Sequence, residues 1–409
     1  MSTLTRVRER FSQYNNLTVL SVDAFVGGLQ SSVMGTIWQP FVLSLGASMS
    51  ELGLLGSIGG PGGFLPTLIQ PVGGWLADRG GRKPLIVISL GLVALRFVFC
   101  LLAGLTFAPI FLALSVISAG FAFLDSPATQ ALTAESVHEN NRGSAFSILA
   151  IARMLPGILL PTLAGIIADR AGFNPLFGFL IVVQLLAIAL VARLLRETGR
   201  KSERWNWKEA RSFVLRSFTP PRHVRAFFFA LAVDSFSWGL GWGLLYGMVT
   251  QTYHFTTAQI GVALSIMSLT WALVQLPIGR YIDRHGTRLI LIVSEGLGPP
   301  VLLAWILSSS FEVFAAAHVL FALTAATWVP AVSTYLAKHV DGSERAETFG
   351  RLSAFRGLIG FPAPFLGGLL FDHFGIQVPL LANLVGSVLT LTILILFVHE
   401  RPITGAREA

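Results

Sequence analysis

Twelve runs of about 20 apolar residues each begin near residues 17, 51, 84, 108, 144, 175, 225, 258, 287, 311, 348 and 377 of this 409-residue chain. No other feature constrains the fold as tightly. Each run matches the hydrocarbon thickness of a bilayer at helical rise, and in lipid only helices and closed barrels satisfy their own backbone polar groups. The runs are continuous rather than alternating, so helices are expected and a barrel is excluded. Composition agrees: 53% of residues are hydrophobic and 12% charged, against about 25% charged in soluble domains. The fold class expected is an all-α membrane protein with twelve transmembrane helices. The first run continues into the chain without a cleavage pattern and reads as a retained span. Cys100 is the single cysteine, which excludes a disulfide framework and a thiolate metal site; neither metal nor cofactor is expected.

The net charge of +8 is distributed by side rather than by patch. With the N-terminus placed in the cytoplasm, 25 of the 29 Lys and Arg fall in cytoplasmic breaks or termini, and Arg170 alone lies on the other side. Arg96, Arg153 and Arg356 fall inside spans. This bias orients a multi-pass protein in a plasma (inner) membrane with both termini cytoplasmic. It calls for membrane lipids as surroundings and for no nucleic acid.

The polar stretch at residues 196–224 is the only long connection and lies at the midpoint, as a cytoplasmic linker between residues 1–195 and 225–409. The two sides repeat one another. GGWLADRGGRKPL (73–85) follows span 2 and IGRYIDRHGTRLI (278–290) follows span 8, which sets Asp78 and Asp283 205 residues apart. An offset of 203 pairs Pro127 with Pro330, Arg142 with Arg345, Arg153 with Arg356, Pro161 with Pro364, Gly165 with Gly368, Asp169 with Asp372 and Gly172 with Gly375. Two pseudo-symmetric six-helix bundles are expected, an organisation shared by many secondary transporters.

The repeated loop carries a family resemblance. Gly74, Asp78, Arg79, Gly81, Arg82 and Lys83 resemble the G-x-L-a-D-r-x-G-r-k loop of the major facilitator superfamily, and Gly279, Asp283, Arg284, Gly286 and Arg288 resemble its second copy. The resemblance implies spans 1, 4, 7 and 10 around a central cavity, alternating access, and a monomer. It is similar to the drug/proton antiporter branch in part. GILLPTLAG (157–165) keeps Gly157, Pro161 and Gly165 of the antiporter run in span 5 but lacks its glycine before the proline, and span 4 has Ser115 where many proton-linked members carry an arginine. The loop itself is expected to act as a latch, its charges pairing across the cytoplasmic seam and capping helix ends.

Charges inside spans are costly and face a partner or a cavity. Asp23 and Arg153 lie at similar depth in spans 1 and 5, and Asp234 and Arg356 repeat that placement in spans 7 and 11. Two symmetry-related gating pairs are expected, with proton coupling at the same aspartates as the competing role. Arg96 and Asp125 have no charged counterpart, since Val301 and Trp328 occupy the matching positions. They are expected to meet at the midplane, either as a proton-coupling pair or as a static one. Glu295 in span 9 is a further unmatched acid.

Asp234, Trp238, Trp242 and Tyr246 recur every four residues and share one helical face. With Trp328 and Gln30 they are expected to line a substrate cavity, either as packing or as a wall for a flat lipophilic molecule, cations included. Gln70 and Gln275 match at the 205 offset and suit helix–helix bonding. The glycine-rich run 59–63 has no twin and is expected to bend span 2. No Gly-x-x-x-x-Gly-Lys-[Ser/Thr] loop is present, so nucleotide does not drive the chain. The histidines are scattered, which argues against an enzyme. The expected function is secondary transport of a small amphipathic organic molecule, by proton-coupled efflux or alternatively by proton-coupled uptake of a small organic solute.

Overall fold

The computed structural model describes residues 3–138, 141–198, 218–285, 287–340 and 345–399, without the side chains of residues 3–15, 78, 276, 278–285 and 345–347. Among the described residues, twelve helices are long and apolar enough to cross a membrane. The first six are α1 (Asn16–Ser44), α2 (Met49–Ala77), α3 (Arg82–Thr106), α4 (Pro109–Glu135), α5 (Arg142–Ala171) and α6 (Asn174–Leu194). The second six are α7 (Arg222–Tyr253), α8 (Thr257–Gln275), α9 (Thr287–Leu307), α10 (Phe311–His339), α11 (Thr348–Phe374) and α12 (Gln377–Phe397). Among the described residues there is no strand. Most of the linker, residues 199–217, lies outside the described residues.

Local chemistry sets the helix ends. Ser48 and Glu51 form a reciprocal capping box at the start of α2, which satisfies two orphan backbone donors at once. Ser310 caps α10, and Pro109 opens α4 at a position where its missing N–H costs nothing.

Several spans are interrupted. α2 breaks across Gly60–Gly63, with Gly62 at φ 75°. α4 tightens into a 3₁₀ turn at Phe123–Asp125 ahead of Pro127. α5 does so at Leu155–Ile158, α7 at Trp242–Leu244, and α11 turns at Phe361–Pro362. α10 carries Pro330 inside one continuous helix, Phe311–His339.

Each bundle packs around aromatic rings. Phe41 stands edge-on to Phe177 at 4.7 Å in the first. In the second, Trp242 stacks on Trp305 at 5.5 Å and lies 4.2 Å from Phe321.

The two bundles meet along two seams, α2 against α11 and α5 against α8, both on the face opposite the basic breaks. Small residues bring the backbones together. A Cβ on Gly53 would stand 2.2 Å from the Pro364 carbonyl oxygen, and one on Gly368 2.2 Å from that of Met49. The other seam repeats this, Gly261 against Pro161 at 2.2 Å and Gly165 against Thr257 at 2.3 Å. In lipid, where apolar side chains gain little by associating, such close approach is what joins helices.

A carboxylate closes each seam. Asp372 at the end of α11 accepts from the Met49 and Ser50 amides at 3.1 and 2.8 Å, capping α2. Asp169 at the end of α5 accepts from the Thr257 and Ala258 amides at 3.0 and 2.8 Å, capping α8. Each thus satisfies two orphan donors at a positive helix end. Toward the basic face, the described contacts between bundles reduce to the middle of α2 and α11, where Gly357 meets Thr67. Among the described residues the bundles are joined on one face and parted toward the other.

Candidate functional site

Two clusters of charge lie within the spans. In the second bundle Arg356 Nη2 donates to Asp234 Oδ2 at 3.2 Å, and its Nε donates to Ser235 Oγ at 2.7 Å. The Asp234 side chain is 7% exposed and that of Arg356 32%, so the acid is sealed while the guanidinium keeps an open side. Glu295 is buried nearby and accepts from Ser387 at 2.6 Å, within electrostatic reach of Asp234.

The equivalent residues of the first bundle are arranged differently. Asp23 and Arg153 influence one another electrostatically but close no ion pair, which corrects the expectation of two matching bridges. The physical reason is a third member. Asp125 sits within reach of both Asp23 and Arg153, and Arg153 is held by its backbone, whose carbonyl abuts Gly28 of α1. Asp23 and Asp125 are half-buried and Arg153 is exposed.

This trio also overturns the pairing of Arg96 with Asp125. Asp125 lies in the 3₁₀ turn at Phe123–Asp125, within electrostatic reach of Asp23 on α1 and Arg153 on α5. Arg96 instead faces the Trp38 ring at 5.8 Å and Cys100.

A cavity of about 540 Å³ opens between α2, α7 and α11. Trp238, Trp242 and Phe361 supply its rings, and Arg356 is its only charged lining residue among those described. Three further residues expected to line a cavity are not among the described residues that line this one. Tyr246 is buried, donating or accepting with His318 Nε2 at 3.3 Å, because its turn of α7 lies beyond the break. Gln30 bonds Gln184 across α1 and α6, and Gln184 in turn bonds the Leu90 carbonyl of α3 at 2.7 Å. Trp328 packs into the cluster around Phe227, Leu291 and Leu336. Asp234 is buried and is not among the described lining residues, so the cavity presents the rings of α7 and the arginine of α11 rather than an acid. The glycine run of α2 lines the same cavity through Gly60, Pro61, Gly62 and Gly63, a role with no signal in its own sequence.

The loop motif is knitted within its own bundle. Arg82 pairs with Glu135 at the end of α4, and Glu197, after α6, accepts from the Lys83 amide at 3.0 Å. Gly81, at φ 94°, sits beside the Glu197 carboxylate where a Cβ would stand 2.7 Å away. Arg79 lies over the Trp75 ring at 4.4 Å, and Gly74 packs on Pro127. These contacts lie within the first bundle. The side chains of Asp78, Asp283 and Arg284, with Gly279 and Gly286, lie outside the described residues; Arg288 donates to the Ile395 carbonyl at 2.6 Å. Glu135 and Glu197 carry no sequence signal, because their partners are far away in the chain.

Among the described residues no group of His, Cys, Asp and Glu is set to hold a metal. Comparison with known proteins indicates a membrane transporter rather than an enzyme. Multidrug resistance protein 1 of Bacillus subtilis (strain 168) is 27% identical over 319 residues, spanning 75% of this chain and 77% of that protein. Multidrug resistance protein MdtG of Enterobacter lignolyticus (strain SCF1) is 26% identical over 370 residues, covering 88% and 87%. The solved D-xylose–proton symporter superposes with a TM-score of 0.72 at 16% identity, over 95% of this chain and 98% of its own. The profile of the Major Facilitator Superfamily matches residues 20–248 and 227–409, and the chain belongs to that family of transporters.

Proposed function

We propose that this transporter exports a small amphipathic organic molecule in exchange for protons, with the basic face and both termini in the cytoplasm of a plasma (inner) membrane. The observation that carries the reading is the trio of Asp23, Asp125 and Arg153. Two carboxylates and one guanidinium leave one negative charge when all are ionised, and a single proton cancels it. Because net charge within a membrane span is costly, the trio offers one place for an exchangeable proton. Asp125 stands at the break of α4, where a small rotation changes its distance to Arg153. The buried Asp234–Arg356 pair is the static member of the repeat and acts as a hinge between α7 and α11. The relatives named for multidrug resistance support the export direction.

Alternation follows from the seams. The capped α2/α11 and α5/α8 contacts close the outer face, and the parted basic face admits substrate from the cytoplasm. Proteoliposomes with a panel of fluorescent amphipathic dyes test the proposal. An imposed pH gradient is expected to drive dye accumulation that a protonophore abolishes. Accumulation indifferent to the protonophore rules out the exchange.

A further inference from the structure

The cavity between α2, α7 and α11 has three features that do not follow from helix packing alone. First, three helix interruptions converge on it: Gly60–Gly63 of α2, the turn beginning at Trp242 of α7, and Phe361 of α11. Non-helical backbone at membrane depth persists where it is buried in protein or lines a cavity able to satisfy it. Second, the walls are flat and firmly backed. Trp238 is 5.1 Å from Phe321, and Trp242 is stacked on Trp305, while Gly239, Gly243, Gly357 and Gly360 leave the rim without side chains. Third, the charge it presents is positive. Arg356 commits Nε to Ser235 and Nη2 to Asp234, and Nη1 has no hydrogen-bond partner among the described residues.

We propose that this cavity binds a small aromatic anion, its ring lying between the α7 tryptophans and the glycine rim and its carboxylate or equivalent group on Arg356. The assignment deepens the transport reading, on which it rests, by naming the substrate class. A planar guanidinium with a free edge pairs with an oxyanion through parallel N–H bonds. An aromatic ring against fixed indoles gains apolar burial and ring contacts. The volume of about 540 Å³ falls within the range of small-molecule sites, roughly 300–1,000 Å³. A lipophilic cation meets the wrong sign of charge, because Asp234 is buried, is not among the described lining residues and is paired with the arginine. Asp234 is instead a competitor: its negative charge offsets that of the guanidinium on which the ligand would sit.

The test uses full-length protein in nanodiscs of neutral phosphatidylcholine, titrated calorimetrically with three probes of one shape: 2-naphthoate, its methyl ester and 2-naphthylmethylammonium. The acid is expected to bind at least tenfold tighter than the ester or the ammonium. Asp234→Asn is expected to tighten naphthoate binding by severalfold, since the competing carboxylate is gone. Asp234→Asn/Arg356→Gln removes both members of the buried pair, which avoids stranding one charge, and is expected to reduce the acid to the affinity of the ester. The proposal is overturned by equal or tighter binding of the ester or the ammonium, by full naphthoate affinity in the double variant, or by no naphthoate binding at millimolar concentration. Equilibrium binding needs no gradient. A protein that binds the acid but moves nothing under a pH gradient therefore contradicts the exchange reading and leaves the site assigned.

Discussion

At the scale of single residues, the two bundles spend their buried charge differently. Asp234 is sealed against Arg356 and Ser235, whereas Asp23 shares Arg153 with Asp125 and closes no bridge. Truncating one member of a buried pair leaves the other uncompensated, at a cost of about 3 kcal/mol or more. Arg356→Gln is therefore expected to lower the unfolding midpoint in detergent clearly, and Asp234→Asn/Arg356→Gln to recover most of that loss. Asp23→Asn breaks no closed bridge and is expected to cost about 1 kcal/mol or less. Equal losses for Arg356→Gln and Asp23→Asn would contradict the asymmetry. Spacing along the chain identified which acids lie inside spans, because burial of charge is visible as a polar residue in an apolar run. It did not reveal their partners. Asp125 stands in the turn at Phe123–Asp125, within electrostatic reach of Asp23 and Arg153, and such a turn interrupts the helical periodicity from which a pairing could be read. Glu295 and Ser387 meet across α9 and α12, 92 positions apart, a separation that periodicity within either helix does not address.

At the scale of elements, the repeat explains the seams. Pro161, Gly165 and Asp169 of α5 and Pro364, Gly368 and Asp372 of α11 were legible as matched positions at one offset. What they do became clear only with α8 and α2 laid against them, since a glycine at a backbone crossing and an aspartate at another helix's N-terminus are defined by the neighbour. Removing a carboxylate cap of this kind costs about 1 kcal/mol. Asp169→Asn and Asp372→Asn are each expected to raise the open population of the capped face by roughly fivefold. A cysteine placed at Ser50 reports this as faster maleimide labelling, against a quiet background because Cys100 is buried. Unchanged labelling in Asp372→Asn would mean that the cap does not hold the seam. Gly53→Val and Gly165→Val, which force a side chain onto a carbonyl, are expected to open the same face further or to prevent folding of the pair.

For the molecule as a whole, the twelve spans, the duplication and the membership of the transporter family were all legible, because lipid leaves a chain few alternatives to the helix and because a repeated loop motif survives in both halves. The cavity was less so. Trp238 and Trp242 lie on it, but Gln30, Tyr246 and Trp328 do not, since breaks in α2, α7 and α11 decide which turns face inward. The central claim is that an acid in the first bundle, Asp125, carries the coupling proton while the substrate is held beside the second. The most direct measurement compares two modes of transport by Asp125→Asn in proteoliposomes. Exchange of labelled for unlabelled substrate, with no gradient, is expected to persist near the wild-type rate, while accumulation driven by a pH gradient is lost. Gradient-driven accumulation that survives intact in Asp125→Asn would contradict the account.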